Sequence, residues 1–82
     1  MEEKELRQAI IEKLYRFKYI GGRHTEMKNM HKGMKEISEK EIEQAVKYLV
    51  NKGIIQIFTK TKETHVSINP KKMRDVHRIL GE

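Results

Sequence analysis

The stretch that decides the fold is residues 38–68, SEKEIEQAVKYLVNKGIIQIFTKTKETHVSI, in which the spacing of the apolar residues changes once. In its first half, an S-x-x-E capping box precedes apolar residues at helical spacing, which predicts a helix over 39–52. After Gly53, β-branched and aromatic residues predict two strands, 54–59 and 64–68, joined by a polar connector. A helix is therefore followed at once by a β-hairpin.

Upstream of this stretch, the sequence predicts two more helices. Leu6, Ile10, Leu14 and Phe17 fall on one helical face, which predicts a helix over about 2–18 that Gly21-Gly22 ends. A shorter helix is expected over about 26–33, with Thr25 as its N-cap. Three methionines at spacings of three and four would form its apolar face: Met27, Met30 and Met34.

Downstream of the hairpin, Asn69-Pro70 is typical of a helix start, with asparagine as N-cap and proline as the first helical residue. This predicts a last helix over about 70–80, which Gly81 ends. The order helix, helix, helix, hairpin, helix predicts one α+β domain over residues 1–82, of the winged helix-turn-helix class. Helix 39–52 would be its recognition helix and the hairpin its wing.

Composition excludes several classes of protein. The 82 residues contain no cysteine, so disulfides, thiolate zinc sites and thiol nucleophiles are excluded. No apolar run approaches the length of a membrane span and no signal peptide is visible, so we expect a cytoplasmic protein without a membrane partner. The net charge of +6 and the pI of about 9.7 favour an acidic partner.

The expected partner is double-stranded DNA, and the sequence suggests which residues contact it. On helix 39–52, the positions opposite the apolar stripe are Lys40, Gln44, Lys47 and Asn51, whose ammonium and amide groups suit phosphates and base edges. The start of the second helix offers Arg23, His24, Thr25 and Lys28 for the phosphate backbone. At the wing tip the candidates are Lys60 and Lys62.

Two alternatives remain open. Glu39, Glu41 and Glu43 flank the outer row of helix 39–52 and oppose a phosphate backbone, which favours a module for protein–protein contact. RNA binding is the other alternative, with exposed tyrosines stacking on bases. A homodimer would pair the N- and C-terminal helices, through Ile11 and the apolar residues Met73, Val76, Ile79 and Leu80.

Four short motifs resemble those of a group of short, mostly uncharacterised archaeal winged-helix proteins. They are Ile-Gly-Gly-Arg-His-Thr at 20–25, Lys32-Gly33, Leu49 to Gly53, and His-Val-Ser-Ile-Asn-Pro at 65–70. The resemblance implies the winged-helix fold and DNA binding, with no known target. We hypothesise a small transcriptional regulator or accessory DNA-associated factor. The resemblance marks Gly21, Gly22, His24 and Thr25 as shared positions, and we hypothesise a contact between His24 and His65.

The sequence suggests neither an enzyme nor a cofactor. The four histidines lack H-x-x-x-H spacing and have no cysteine or clustered aspartate beside them, so no metal site is expected. No nucleophile–base pair and no glycine-rich nucleotide loop is present. Binding, not catalysis, is the expected activity.

Overall fold

A computed structural model describes residues 2–60 and 62–81, apart from the side chain of Lys60. Within these residues lie three α-helices and a three-stranded antiparallel sheet, so the predicted α+β class is confirmed. In chain order, the α-helices and strands are α1 (Glu3–Arg16), β1 (Thr25–Glu26), α2 (Glu39–Asn51), β2 (Ile55–Lys60), β3 (Glu63–Ile68) and α3 (Met73–Leu80). Two 3₁₀-helices, Met27–His31 and Pro70–Lys72, precede α2 and α3.

The core lies between the helices and one face of the sheet. α1 packs on α2, α3 and β3. Leu6, Ile10 and Leu14 of its predicted stripe are buried, whereas Phe17 follows the end of the helix and is 52% exposed. Helix α2 buries its four apolar residues at helical spacing, Ile42, Ala45, Val46 and Leu49, and α3 buries Val76. The sheet contributes Ile55, Val66 and Ile68 to the same core. Burial of these side chains is the main stabilising term in so small a domain.

The sheet has the strand order β1-β3-β2, so β3 is its central strand. Val66 pairs with Thr25 on one side and Ile57 on the other, and the preceding residue of β3, His65, pairs with Glu26 and Phe58. Because side chains alternate along a strand, Glu26, Phe58 and His65 share one face and the Val66 set shares the other.

The loop after α1 is held against the end of β3 by hydrogen bonds. The Gly21 N–H donates to the Ile68 carbonyl, and the Ser67 hydroxyl donates to the Gly21 carbonyl, at 2.9 and 2.8 Å. Ser67 is fully buried, and both of these bonds hold the loop against the sheet. The IGGRHT segment is therefore positioned by β3, more than 40 residues further along the chain.

The predicted helix over 26–33 is wrong. Thr25 and Glu26 form strand β1, and only a 3₁₀-helix of five residues follows. Pairing of Thr25 with Val66 holds the backbone extended where the sequence suggested an N-cap, and tertiary pairing outweighs local helix propensity here. The methionine stripe still fills the core, because Met30 is buried while Met27 and Met34 are partly buried against it.

Helix α1 also ends earlier than expected. It stops at Arg16 rather than near residue 18, and the stop does not use Gly21-Gly22. Instead Lys18 adopts a left-handed backbone with φ 59°, and the Tyr19 N–H donates to the Leu14 carbonyl at 2.8 Å. This closes the helix with a Schellman-type turn in which lysine occupies the place that glycine usually takes.

The other helix ends agree with the sequence. The Ser38 hydroxyl accepts a hydrogen bond from the Glu41 N–H at 3.2 Å, which confirms the N-cap of α2. The Asn69 side chain accepts from the Lys71 N–H, although the first turn there is 3₁₀ and α3 begins at Met73. Gly53 and Gly81 follow α2 and α3 with φ of 77° and 80°.

The apolar residues predicted to form a homodimer interface lie mostly in or against the core of the same chain. Ile11 and Val76 are fully buried, so they are not available to a second copy. Met73, Ile79 and Leu80 are half-buried against the same core. Across the part of the chain that the structure describes, no helix is both long and apolar enough to cross a membrane.

Candidate functional site

The outer row of α2, defined as Lys40, Gln44, Lys47 and Asn51, points away from the core, and all four side chains are exposed. Within residues 2–60 and 62–81, none of them forms a side-chain hydrogen bond or an ion pair. The row therefore presents two ammonium groups and two amides whose donors and acceptors are not used by the fold.

One flank of α2 borders a basic groove. The groove has a volume of about 600 Å³ and lies between α1, the C-terminal end of α2, and α3. Asp75 also lines it but lies 3.6 Å from Arg78 as an ion pair. The cations that line this basic groove are Lys4, Arg7, Lys52, Lys72 and Arg78.

Tyr48 forms part of the wall of the basic groove. The Arg7 guanidinium carbon lies 3.6 Å from the centre of the Tyr48 ring, and the Lys52 ammonium lies 5.5 Å from it. A guanidinium stacked on an aromatic face is held in place with its N–H donors directed outward. Arg7 also pairs with Glu3 at 3.2 Å, so its position is fixed from two sides.

The other flank of α2 borders a second groove, between α2 and the hairpin. This hairpin groove has a volume of about 740 Å³ and contains charges of both signs. Lys28, Lys47 and Lys62 line it together with four carboxylates, Glu26, Glu39, Glu43 and Glu63. The outer row of α2 thus lies between a basic groove and a groove in which acids outnumber bases.

The residues predicted to contact the phosphate backbone near β1 differ in how accessible they are to a partner. Thr25 is buried, and its hydroxyl accepts a hydrogen bond from the Asn29 amide at 2.8 Å, so the fold uses that group. Arg23 is exposed, with its guanidinium 5.6 Å from the Tyr19 ring. Lys28 pairs with Glu26 at 3.0 Å, and this hydrogen bond holds the pKa of Glu26 below its usual range.

His24 lies against the sheet in contact with His65, so the hypothesised contact is confirmed. Their Nδ1 atoms lie 2.8 Å apart, which requires one ring to donate and the other to accept. His24 also stacks on Phe58, with ring centres 4.9 Å apart. On its other side, His65 Nε2 lies 3.3 Å from a Glu63 oxygen. The pair joins the loop after α1 to β3.

The structure describes the two lysines predicted at the wing tip to different extents. Lys62 is exposed in the turn between β2 and β3 and lines the hairpin groove. Lys60 ends β2, where it pairs with Glu63, but its side chain lies outside the described residues. Lys62 is therefore the lysine for which the structure gives a location beside α2.

A third groove separates α1 from the 3₁₀-helix that follows β1. Lys13 reaches across its base and donates to the carbonyls of Asn29, at 2.7 Å, and Lys32. Burial, and then the charge of Lys32, lower the pKa of Lys13. Lys13 therefore connects α1 with the segment before α2, and two of the three N–H donors of its ammonium are used within the fold.

Sequence reasoning missed two features of this surface. The basic groove combines residues from both ends of the chain with α2, and only their tertiary packing brings these charges together. The second feature is a cluster of Glu26, Glu63 and His65, whose ligand atoms lie within 4.8 Å of one another. Its members alternate on a strand or pair across strands, a spacing that the helical H-x-x-x-H pattern does not detect.

No model of a known protein family matches the chain, and no curated protein is significantly similar to it.

Proposed function

We propose that the chain is a winged helix-turn-helix domain that binds double-stranded DNA. The order α1, β1, 3₁₀-helix, α2, β2, β3 supports this class, with the 3₁₀-helix in the place of the usual second helix. In this arrangement α2 is the recognition helix and the β2–β3 hairpin is the wing. The motif resemblance favours a small archaeal transcriptional regulator or accessory DNA-associated factor.

The observation that most supports DNA binding is the unpaired outer row of α2 beside the basic groove. Gln44 and Asn51 offer amides of the kind that contact adenine edges in the major groove. Lys40 and Lys47 offer ammonium groups, which form no ion pair within residues 2–60 and 62–81. The lysines and arginines of the basic groove then suit the phosphate backbone alongside.

The charges on the two flanks of α2 favour one orientation of the duplex. Phosphates are attracted to the basic groove and repelled by the carboxylates of the hairpin groove. We therefore place the DNA strand that is bound more closely along the side of α2 that faces α1 and α3. Arg23, Lys28 and Lys62 remain candidates for weaker contacts on the hairpin side, whereas His24 and Thr25 form contacts within the fold.

Charge reversal in the outer row tests this proposal. The variant Lys40→Glu/Lys47→Glu should bind a labelled random-sequence duplex more weakly than the wild type, and the slope of log K against log salt should become shallower by about 2, since about 0.9 is lost per phosphate contact. Fluorescence anisotropy between about 50 and 200 mM salt measures both quantities. The matched control is Lys18→Glu/Lys35→Glu, which changes the net charge equally at exposed sites outside α2.

Two results would count against the proposal. If the α2 variant and the control lose the same affinity, only overall charge matters and α2 is not the contact surface. If the wild type does not bind duplex even at low salt, a protein-contact function is supported instead. The hairpin groove would then be its surface, because Ile57 is 43% exposed there among the carboxylates. Competition by single-stranded RNA of equal length distinguishes the RNA alternative.

A further inference from the structure

Three side chains of types that bind metals converge on one face of the sheet, Glu26 from β1 and Glu63 and His65 from β3. Glu26 on β1 pairs with His65 on β3, and Glu63 lies two residues before His65 on the same strand. Pairing and alternation place all three side chains on the same face. Their nearest ligand atoms, one imidazole nitrogen and two carboxylate oxygens, all lie within 4.8 Å of one another.

The separation of His65 and Glu63 suits a small divalent ion. Zinc binds imidazole nitrogen and carboxylate oxygen at about 2.0–2.2 Å, so two ligands of a tetrahedral ion lie about 3.3–3.5 Å apart. His65 Nε2 and the nearer Glu63 oxygen are 3.3 Å apart. The three ligand atoms lie within 4.8 Å of one another, so the Glu26 carboxylate needs only a small side-chain rotation to reach an ion held by the other two. Three protein ligands would leave a fourth position for water or another ligand.

The second observation concerns the histidine's other nitrogen. His65 Nδ1 lies 2.8 Å from His24 Nδ1, and His24 is itself stacked on Phe58. When His65 donates its Nδ1 proton to His24, its Nε2 carries the lone pair. Metal-binding histidines are commonly oriented by such a bond from the nitrogen that does not bind the metal. In that tautomer Nε2 is a ligand nitrogen, and it faces the Glu63 carboxylate at 3.3 Å.

We infer that Glu26, Glu63 and His65 form a binding site for a divalent transition-metal ion of the zinc type, with His24 as its positioning residue. Lys28 competes for this site, because its ammonium lies 3.0 Å from a Glu26 oxygen. Lys28 is 75% exposed, so an incoming ion displaces it at the loss of one surface ion pair. The inference concerns metal binding and does not depend on DNA binding.

The test is isothermal titration of ZnCl₂ into the full chain after treatment with a chelator and its removal. The wild type should bind one ion, and His65→Ala or Glu63→Gln should weaken binding by at least about tenfold. Lys28→Ala should tighten it, because the competing cation is lost. His24→Phe keeps the ring stacked on Phe58 but removes the hydrogen-bond acceptor, and should weaken binding about 10–100-fold.

Matched controls separate this site from adventitious binding to other side chains. Glu36→Gln removes an exposed carboxylate elsewhere, and His77→Gln removes a histidine outside the cluster. Both should bind zinc as the wild type does, and circular dichroism confirms that every variant is folded. The inference is overturned if the wild type does not bind zinc, if His65→Ala binds it unchanged, or if His77→Gln abolishes binding.

Discussion

Lys18 occupies an unusual backbone conformation for a residue with a side chain. Its φ of 59° is left-handed, and the turn it forms is fixed by bonds from the Lys18 N–H to the Tyr15 carbonyl and from the Tyr19 N–H to the Leu14 carbonyl, at 3.0 and 2.8 Å. A Cβ in this region is strained by roughly 1–2 kcal/mol, and only glycine adopts it freely. The turn that ends α1 is thus formed at a local cost.

Replacing Lys18 with glycine should stabilise the protein. Relief of the strain outweighs the extra freedom that glycine gives the unfolded chain, so we expect a gain of about 0.5–1 kcal/mol in the free energy of unfolding. Urea unfolding measures it. Lys18→Ala is the matched control, because it removes the same charge but keeps the Cβ. Equal stability of the glycine and alanine variants would contradict the argument.

At the scale of elements, the sequence correctly predicts the helices and strands that are determined by local apolar spacing and helix capping. The apolar stripes of α1 and α2, the Ser38 cap and the alternation in the hairpin all act within a few residues, and the structure contains each of these elements. β1 was missed because two residues are too few to show alternation. What makes Thr25–Glu26 a strand is pairing with Val66 and His65, which the local sequence does not encode.

The same distinction holds for the candidate site. The outer row of α2 follows from helical spacing and is exposed as predicted. The basic groove and the Glu26, Glu63 and His65 cluster depend on how elements from opposite ends of the chain pack. For Thr25 the local sequence was misleading. It predicts a hydroxyl that contacts phosphate, but in the folded chain that hydroxyl accepts a hydrogen bond from Asn29.

Asn69 joins three elements, and its two roles can be separated. Its side-chain oxygen accepts from the Lys71 N–H at 3.0 Å, at the start of the turn before α3. Its amide nitrogen donates to the Gly53 carbonyl at 2.9 Å, which ties the end of β3 to the turn between α2 and β2. A single side chain thus fixes how the hairpin and α3 meet the end of α2.

Two substitutions at Asn69 should differ in their effect on stability. Asn69→Ser keeps a capping oxygen but loses the bond to Gly53, and should lower the free energy of unfolding by about 1 kcal/mol. Asn69→Ala loses both interactions and should lower it by about 2 kcal/mol. Thermal unfolding of the two variants beside the wild type measures the difference. Equal losses in serine and alanine would mean that the cap contributes nothing.

At the scale of the whole molecule, the charges behind the net +6 are distributed unevenly, and the surfaces on the two sides of α2 differ in charge. The basic groove is lined by cations from α1, the end of α2, the second 3₁₀-helix and α3. The hairpin groove is lined by four carboxylates. In the proposed complex, a hairpin that faces these carboxylates would bind a phosphate backbone only weakly. The charge distribution therefore supports backbone contact mainly on the side of α2 opposite the hairpin.

Two pairs of neutral substitutions locate the backbone in the proposed complex. Lys52→Gln/Lys72→Gln should make the salt dependence of duplex binding shallower by about 2 in the log–log slope, because two phosphate contacts are lost. Lys28→Gln/Lys62→Gln removes the same charge from the hairpin groove and should change the slope less, since nearby carboxylates already oppose phosphate there. Anisotropy titrations of a random duplex at several salt concentrations give both slopes. A larger change for the hairpin pair would reverse the orientation and place the backbone along the wing, while equal changes would show that it contacts both grooves alike.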